Sequence, residues 1–136
     1  MKKTTDEVRS ELIKRALNVR KNAYAPYSQY LVGAALLTSS GKIFDGANVE
    51  NAAYPSSMCA ERTAVFKAVS EGERNFDTIV VATENGGSPC GACRQVLSEF
   101  GLETRVIIVN RDGDVTLEKT VSEFLPDSFG PSQLPQ

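Results

Sequence analysis

The chain has 136 residues, a formal net charge of -2 and a pI of about 5.2, with 41% hydrophobic and 24% charged residues. This is the composition of an ordinary globular domain, and we expect residues 1–136 to form a single one, with no membrane association. The acidic balance argues against a nucleic-acid partner, because such affinity comes largely from Lys and Arg on phosphates.

The predicted elements follow in chain order. Thr4 with Glu7 makes a capping-box pattern ahead of a first helix. Val8, Leu12, Ile13, Ala16 and Leu17 recur there at helical spacing, and the helix should run to about Asn22, before Ala25-Pro26-Tyr27-Ser28 breaks it. Its basic residues, Lys14, Arg15, Arg20 and Lys21, point several ways around it, as on a solvated face. Residues 31–38 are an apolar run, Ser39-Ser40-Gly41 turns, and Ile43-Phe44 resumes, which predicts a hairpin. Residues 59–71 should be helical and stop at Gly72. Residues 78–82 should form a buried strand, and residues 90–100 a helix that stops at Gly101. Residues 105–109 form another buried strand, Asp112-Gly113 turns, and 115–117 add a short strand. Thr120 with Glu123 caps a last short helix before Pro126. This order predicts an α/β fold, a mixed sheet with helices on both faces. The first six residues are polar and charged rather than an apolar signal segment, so a cytoplasmic location is expected.

The chemistry concentrates in three cysteines, with no histidine in the chain. Cys90 and Cys93 stand three apart at a predicted helix start and share one face. Cys59 begins another helix. Helix N-termini favour thiolate over thiol, and thiolate is the zinc-binding form. Three cysteines and no histidine cannot close a four-ligand structural site, so a fourth position is left for water, the pattern of a catalytic zinc. Glu61, two residues from Cys59, is placed to move a proton between such a water and a substrate. The competing readings are a Cys-x-x-Cys redox pair, an iron–sulfur cluster, which normally takes a fourth cysteine, and three inert buried thiols.

The Cys59-Ala60-Glu61 and Pro89-Cys90-Gly91-Ala92-Cys93 segments carry the zinc-deaminase signature, with cysteine where many members have histidine. Together with Asn48-Val49-Glu50-Asn51-Ala52-Ala53-Tyr54, Tyr24-Ala25-Pro26-Tyr27-Ser28, Val32-Gly33-Ala34-Ala35-Leu36 and the tail at 125–131, the chain closely resembles the small, homotetrameric cytidine deaminases. That resemblance implies a three-layer α-β-α fold around a mixed, about five-stranded sheet. It also implies one zinc ion per chain on Cys59, Cys90 and Cys93, with Glu61 carrying a proton to N3 of cytosine and then to the departing amino group. Asn48 and Glu50 would grip the ribose hydroxyls, and a carboxylate there would repel a phosphate. Tyr30 stands where relatives usually carry a Phe that packs on the pyrimidine, and the backbones of Ala60 and Ser88 would meet the base. Arg62 would compensate the charge of three thiolates. Phe129 would reach a neighbouring subunit's site. The implied activity is deamination of free cytidine and deoxycytidine in pyrimidine salvage. The rival readings are an antibiotic-nucleoside deaminase, a DNA or RNA cytosine editor, and a zinc-stabilised binding module without catalysis.

Overall fold

The computed structural model describes residues 5–135, so Thr4 of the expected capping box lies outside the described residues. The observed N-cap is Thr5, whose side chain accepts from Val8 N at 3.2 Å, with Asp6 and Glu7 in the first turn where negative charge suits the helix dipole. Helix α1 (Asp6–Arg20) ends two residues before the expected Asn22. The hairpin follows as β1 (Gly33–Thr38) and β2 (Ile43–Ala47), then α2 (Ala60–Ser70), β3 (Phe76–Ala82), α3 (Gly91–Phe100), β4 (Arg105–Val109), β5 (Val115–Thr120) and α4 (Val121–Phe124). β1 begins two residues later than the apolar run suggested, and β5 extends to Thr120 rather than stopping near 117. The capping box of Thr120 and Glu123 at α4 is present.

The five strands lie in the order β2-β1-β3-β4-β5. β3 and β4 are parallel and the other pairs antiparallel, which makes the sheet mixed. Strand side chains alternate between the faces. Ala34, Leu36, Ile79, Val81, Val106 and Ile108 face α2, α3 and α4, where Ala60, Ala64, Val65, Ala68, Leu97 and Val121 meet them. Ala35, Leu37, Val80, Ala82, Ile107 and Val109 face Leu12 and Ala16 of α1. Burying one such Val, Leu or Ile stabilises the fold by about 1.5–3 kcal/mol. Runs such as 79–82 are apolar throughout because both faces of the sheet are covered.

Two glycines let helices sit close to the sheet. A Cβ on Gly33 would lie 2.1 Å from the Ala16 carbonyl oxygen, so α1 could not pack where it does. A Cβ on Gly46 would lie 2.7 Å from Ala64 N, so β2 holds α2, and with it Cys59, at a fixed distance from the sheet.

Candidate active site and metal centre

Two helix starts meet at the C-terminal end of β3. Cys59 is the N-cap of α2, Cys90 is the N-cap of α3, and Cys93 lies in the first turn of α3. Neither N-cap sulfur is used to cap its own helix, although each sits where a side chain commonly does so. The sulfurs instead turn to one another, with Cys59 Sγ 3.9 Å from Cys90 Sγ, Cys90 Sγ 3.3 Å from Cys93 Sγ, and all three within 4.8 Å. Three thiolates about 2.3 Å from a tetrahedral zinc would be about 3.8 Å apart, so the donor set fits that ion. The three also differ in access, since Cys93 is buried, Cys59 partly buried and Cys90 exposed. The cluster therefore opens to solvent on one side.

The electrostatics divide the thiols. Cys59 is pulled down to about 5, first by its interaction with the Cys93 thiol and then by the Arg62 guanidinium, whose Nη2 donates to Cys59 Sγ at 3.3 Å. Cys93 is pushed up by the same interaction with Cys59, then by burial and by the charge of Glu61. Arg62 Nε is buried without a hydrogen-bond partner among the described residues, and Nη2 is directed at Cys59 Sγ. Glu61 is only 4% exposed, and burial raises its carboxyl above the usual range, with the Cys59 charge adding to the effect. A raised pKa makes the carboxyl a better proton acceptor than an exposed carboxylate, which suits a group that must take a proton and pass it on.

Glu61, Arg62, Cys59 and Cys90 line a cavity of about 480 Å³. Of the other residues singled out from sequence, Tyr30, Asn48, Glu50, Ala60 and Ser88 line it too. Segment 48–58 is brought there by main-chain pairing: Val49 pairs with Met58 in both directions, and Glu50 N donates to Tyr24 O at 2.8 Å. Asn48 is 8% exposed, its amide donating to Tyr30 O and its Oδ1 accepting from Val32 N, both at 2.9 Å. Glu50 accepts from Tyr27 N at 3.0 Å, from Ser28 N at 3.1 Å and from the Ser28 hydroxyl. The Ser28 hydroxyl is the main cause holding the Glu50 carboxyl below its usual value. Both polar residues thus brace their loops and keep lone pairs or protons toward the cavity. Phe129 is not among the lining residues of its own chain's cavity. It is 58% exposed, its carbonyl accepting from Gln95 Nε2 at 2.9 Å.

Two structural contributors carry little or no signal in the sequence. Arg94 donates to Pro89 O at 2.9 Å, Ser88 Oγ at 3.1 Å and Phe124 O at 2.9 Å, and its guanidinium lies 5.1 Å from the Phe124 ring centroid. It thereby clamps the approach to Cys90. A cation near a helix N-terminus opposes the dipole, and that misfit was the available clue. Thr83, 3% exposed, accepts from Gly86 N at 2.7 Å and Gly87 N at 3.0 Å and shapes the loop into α3. A threonine after a strand gives no such hint.

Residues 6–109 match the family described as the cytidine and deoxycytidylate deaminase zinc-binding region. A cytidine deaminase of Halalkalibacterium halodurans is 51% identical over 124 residues, 89% of this chain and 93% of the relative. That of Sporosarcina psychrophila is 47% identical over 127 residues, 91% of this chain and 93% of the relative. The 1.6 Å crystal structure of cytidine deaminase from Burkholderia pseudomallei superposes with a TM-score of 0.84 at 47% identity, covering 88% of this chain and 98% of that one. With two thiol-bearing helix starts meeting beside a buried glutamate, and with likeness along nearly its whole length, this chain belongs to the zinc-binding cytidine and deoxycytidylate deaminase family.

Proposed function

We propose that the protein hydrolyses the 4-amino group of free cytidine and deoxycytidine, giving uridine or deoxyuridine and ammonia. The observation that carries this is the convergence of three thiols within 4.8 Å, two of which, Cys59 and Cys90, line the cavity that also holds the buried carboxyl of Glu61. Cys59, Cys90 and Cys93 would hold one zinc ion, which when bound supplies the Lewis acidity that makes a water acidic near neutral pH. Glu61 takes one proton of the attacking water and delivers it to N3 of the base; it then takes the second from the hydroxyl newly bonded to C4 and gives it to the amino group, which leaves as ammonia as the C4 carbonyl forms. Ala60 and Ser88 present backbone groups to the base, and Tyr30 gives it a flat wall. Asn48 and Glu50 bind the ribose hydroxyls. The Glu50 carboxylate, held in its charged form by Ser28, disfavours a nucleotide phosphate at that end and selects a nucleoside.

The same reading makes the chain one domain of a homotetramer acting in the cytoplasm in pyrimidine salvage. Assembly with other copies is supported by Phe129, a large apolar side chain 58% exposed that a neighbouring copy would cover, while the number of copies, the location and the pathway rest on the family likeness. Phe129 would then complete an adjacent subunit's site.

Ammonia release from cytidine, deoxycytidine, deoxycytidine monophosphate and an oligonucleotide, with metal analysis, tests the activity. Turnover of the oligonucleotide alone, or an active sample without metal, would overturn it. Mixing Glu61→Gln chains with Phe129→Ala chains tests the shared site, since hybrids pairing a sound tail with a sound Glu61 should regain activity. Verified hybrids that regain none would refute it.

A further inference from the structure

Resting on that reading of the cavity, we propose that the Tyr30 hydroxyl and Asn85 form a latch. It holds the 83–89 loop against the segment that carries Tyr30, which makes Tyr30 and Asn85 a positioning pair. Tyr30 Oη donates to Asn85 Oδ1 at 2.9 Å, across 55 residues of sequence. The loop is braced at its base by Thr83, by Thr116 Oγ1 donating to Gly86 O at 3.0 Å, and by Arg94 at Ser88 and Pro89. Asn85, exposed and outside the cavity lining, ties the loop to Tyr30, which lines the cavity. Tyr30 is itself anchored on the sugar side: its carbonyl accepts from Asn48, and its N–H donates at 3.0 Å to the Ser28 hydroxyl that also binds Glu50. The chain of contacts therefore runs from Asn48 and Glu50 through Tyr30 and Asn85 to the loop that carries Ser88 and ends at Cys90. Gly87 records how tight the closure is, because a Cβ there would meet Tyr30 Oη at 2.9 Å.

Tyr30→Phe keeps the aromatic wall and removes only the latch, and Asn85→Ala removes the other partner. An exposed neutral hydrogen bond supports an effect at the low end of the range, about twofold to threefold. We expect each variant to raise KM for cytidine by that factor, with kcat falling less, and to speed amide hydrogen exchange across residues 85–88. The double variant should be no worse than either single one, because both remove the same bond. Gly87→Ala should raise KM in the parent and less so in the Tyr30→Phe background, where the obstructing oxygen is gone.

Unchanged exchange in Tyr30→Phe and Asn85→Ala, fully additive effects, or faster exchange with an unchanged KM would each overturn the latch. The exchange measurement needs no substrate. If the parent released no ammonia, the deaminase reading would fall, while exchange and its non-additivity would still decide for or against the latch.

Discussion

The two ends of the cavity are built on different principles. At the metal end, Cys59, Cys90, Cys93 and Glu61 sit on the first turns of two helices packed on the sheet, with Glu61 and Cys93 buried. Helix starts supply both rigidity and partial positive charge, so thiolates and a carboxyl can be held with few hydrogen bonds of their own. At the sugar end, Asn48, Glu50 and Tyr30 sit on loop backbone near isolated bridges; the side chains of Asn48 and Glu50 are already bonded to that backbone, and the Tyr30 hydroxyl to the Asn85 side chain. The comparison teaches that one end is stiff because of where its residues lie, and the other because of what its side chains do. Substitutions at the metal end should therefore hurt chemistry and spare the fold. Those at the sugar end should hurt binding and loop order together.

The largest expected effect is at a ligand. Cys90→Ala should lose metal and turnover together, since two remaining thiolates hold zinc poorly. Metal retained at one per chain, measured by elemental analysis, would break the three-thiol assignment.

Glu61→Gln comes next. It keeps shape and cannot shuttle a proton, so turnover should fall by about 10²–10⁴ with metal content unchanged. Activity within about tenfold of the parent would remove Glu61 from proton transfer, which is worth more than that.

At the sugar end, Asn48→Ala and Glu50→Ala should raise KM by about tenfold to a hundredfold, the cost of leaving a hydroxyl's partner missing at a charged or buried group. Some loss of kcat should follow, because remote binding energy helps position the reacting base. Proteolysis near residues 26–30 should quicken in the same variants, because each side chain braces that segment. Unchanged kinetics with a loosened loop would leave these residues a purely structural task and dissolve the contrast.

The smallest effect probes the boundary between the ends. Arg62 lowers the Cys59 pKa by stabilising the charged thiolate. Replacing it by Gln withdraws that stabilisation, so thiolate formation, metal uptake and the acid limb of the pH–rate profile should all move to higher pH. The metal should still bind at alkaline pH. A profile superposing on the parent's would show that the 3.3 Å contact carries no electrostatic consequence.

The element order and the metal end were legible in the amino-acid pattern alone. Apolar runs at 79–82 and 105–109 announce strands covered on both faces, and Cys59, Cys90, Cys93 and Glu61 are placed by spacing along helices that their own patterns predict. Local geometry is enough there, because three residues apart at a helix start is already a shared face. Boundaries were less legible. The observed cap of the first helix is Thr5, next to the Thr4 that lies outside the described residues, and adjacent threonines offer equal local caps in sequence. What depends on long-range approach came from the packed fold: that Gly46 brings α2 against β2, that Arg94 reaches Phe124, and that Tyr30 meets Asn85. These contacts join segments whose separation along the chain is large. Their side chains carry no periodicity, and each exists because the packed sheet has already set the distance between the two walls.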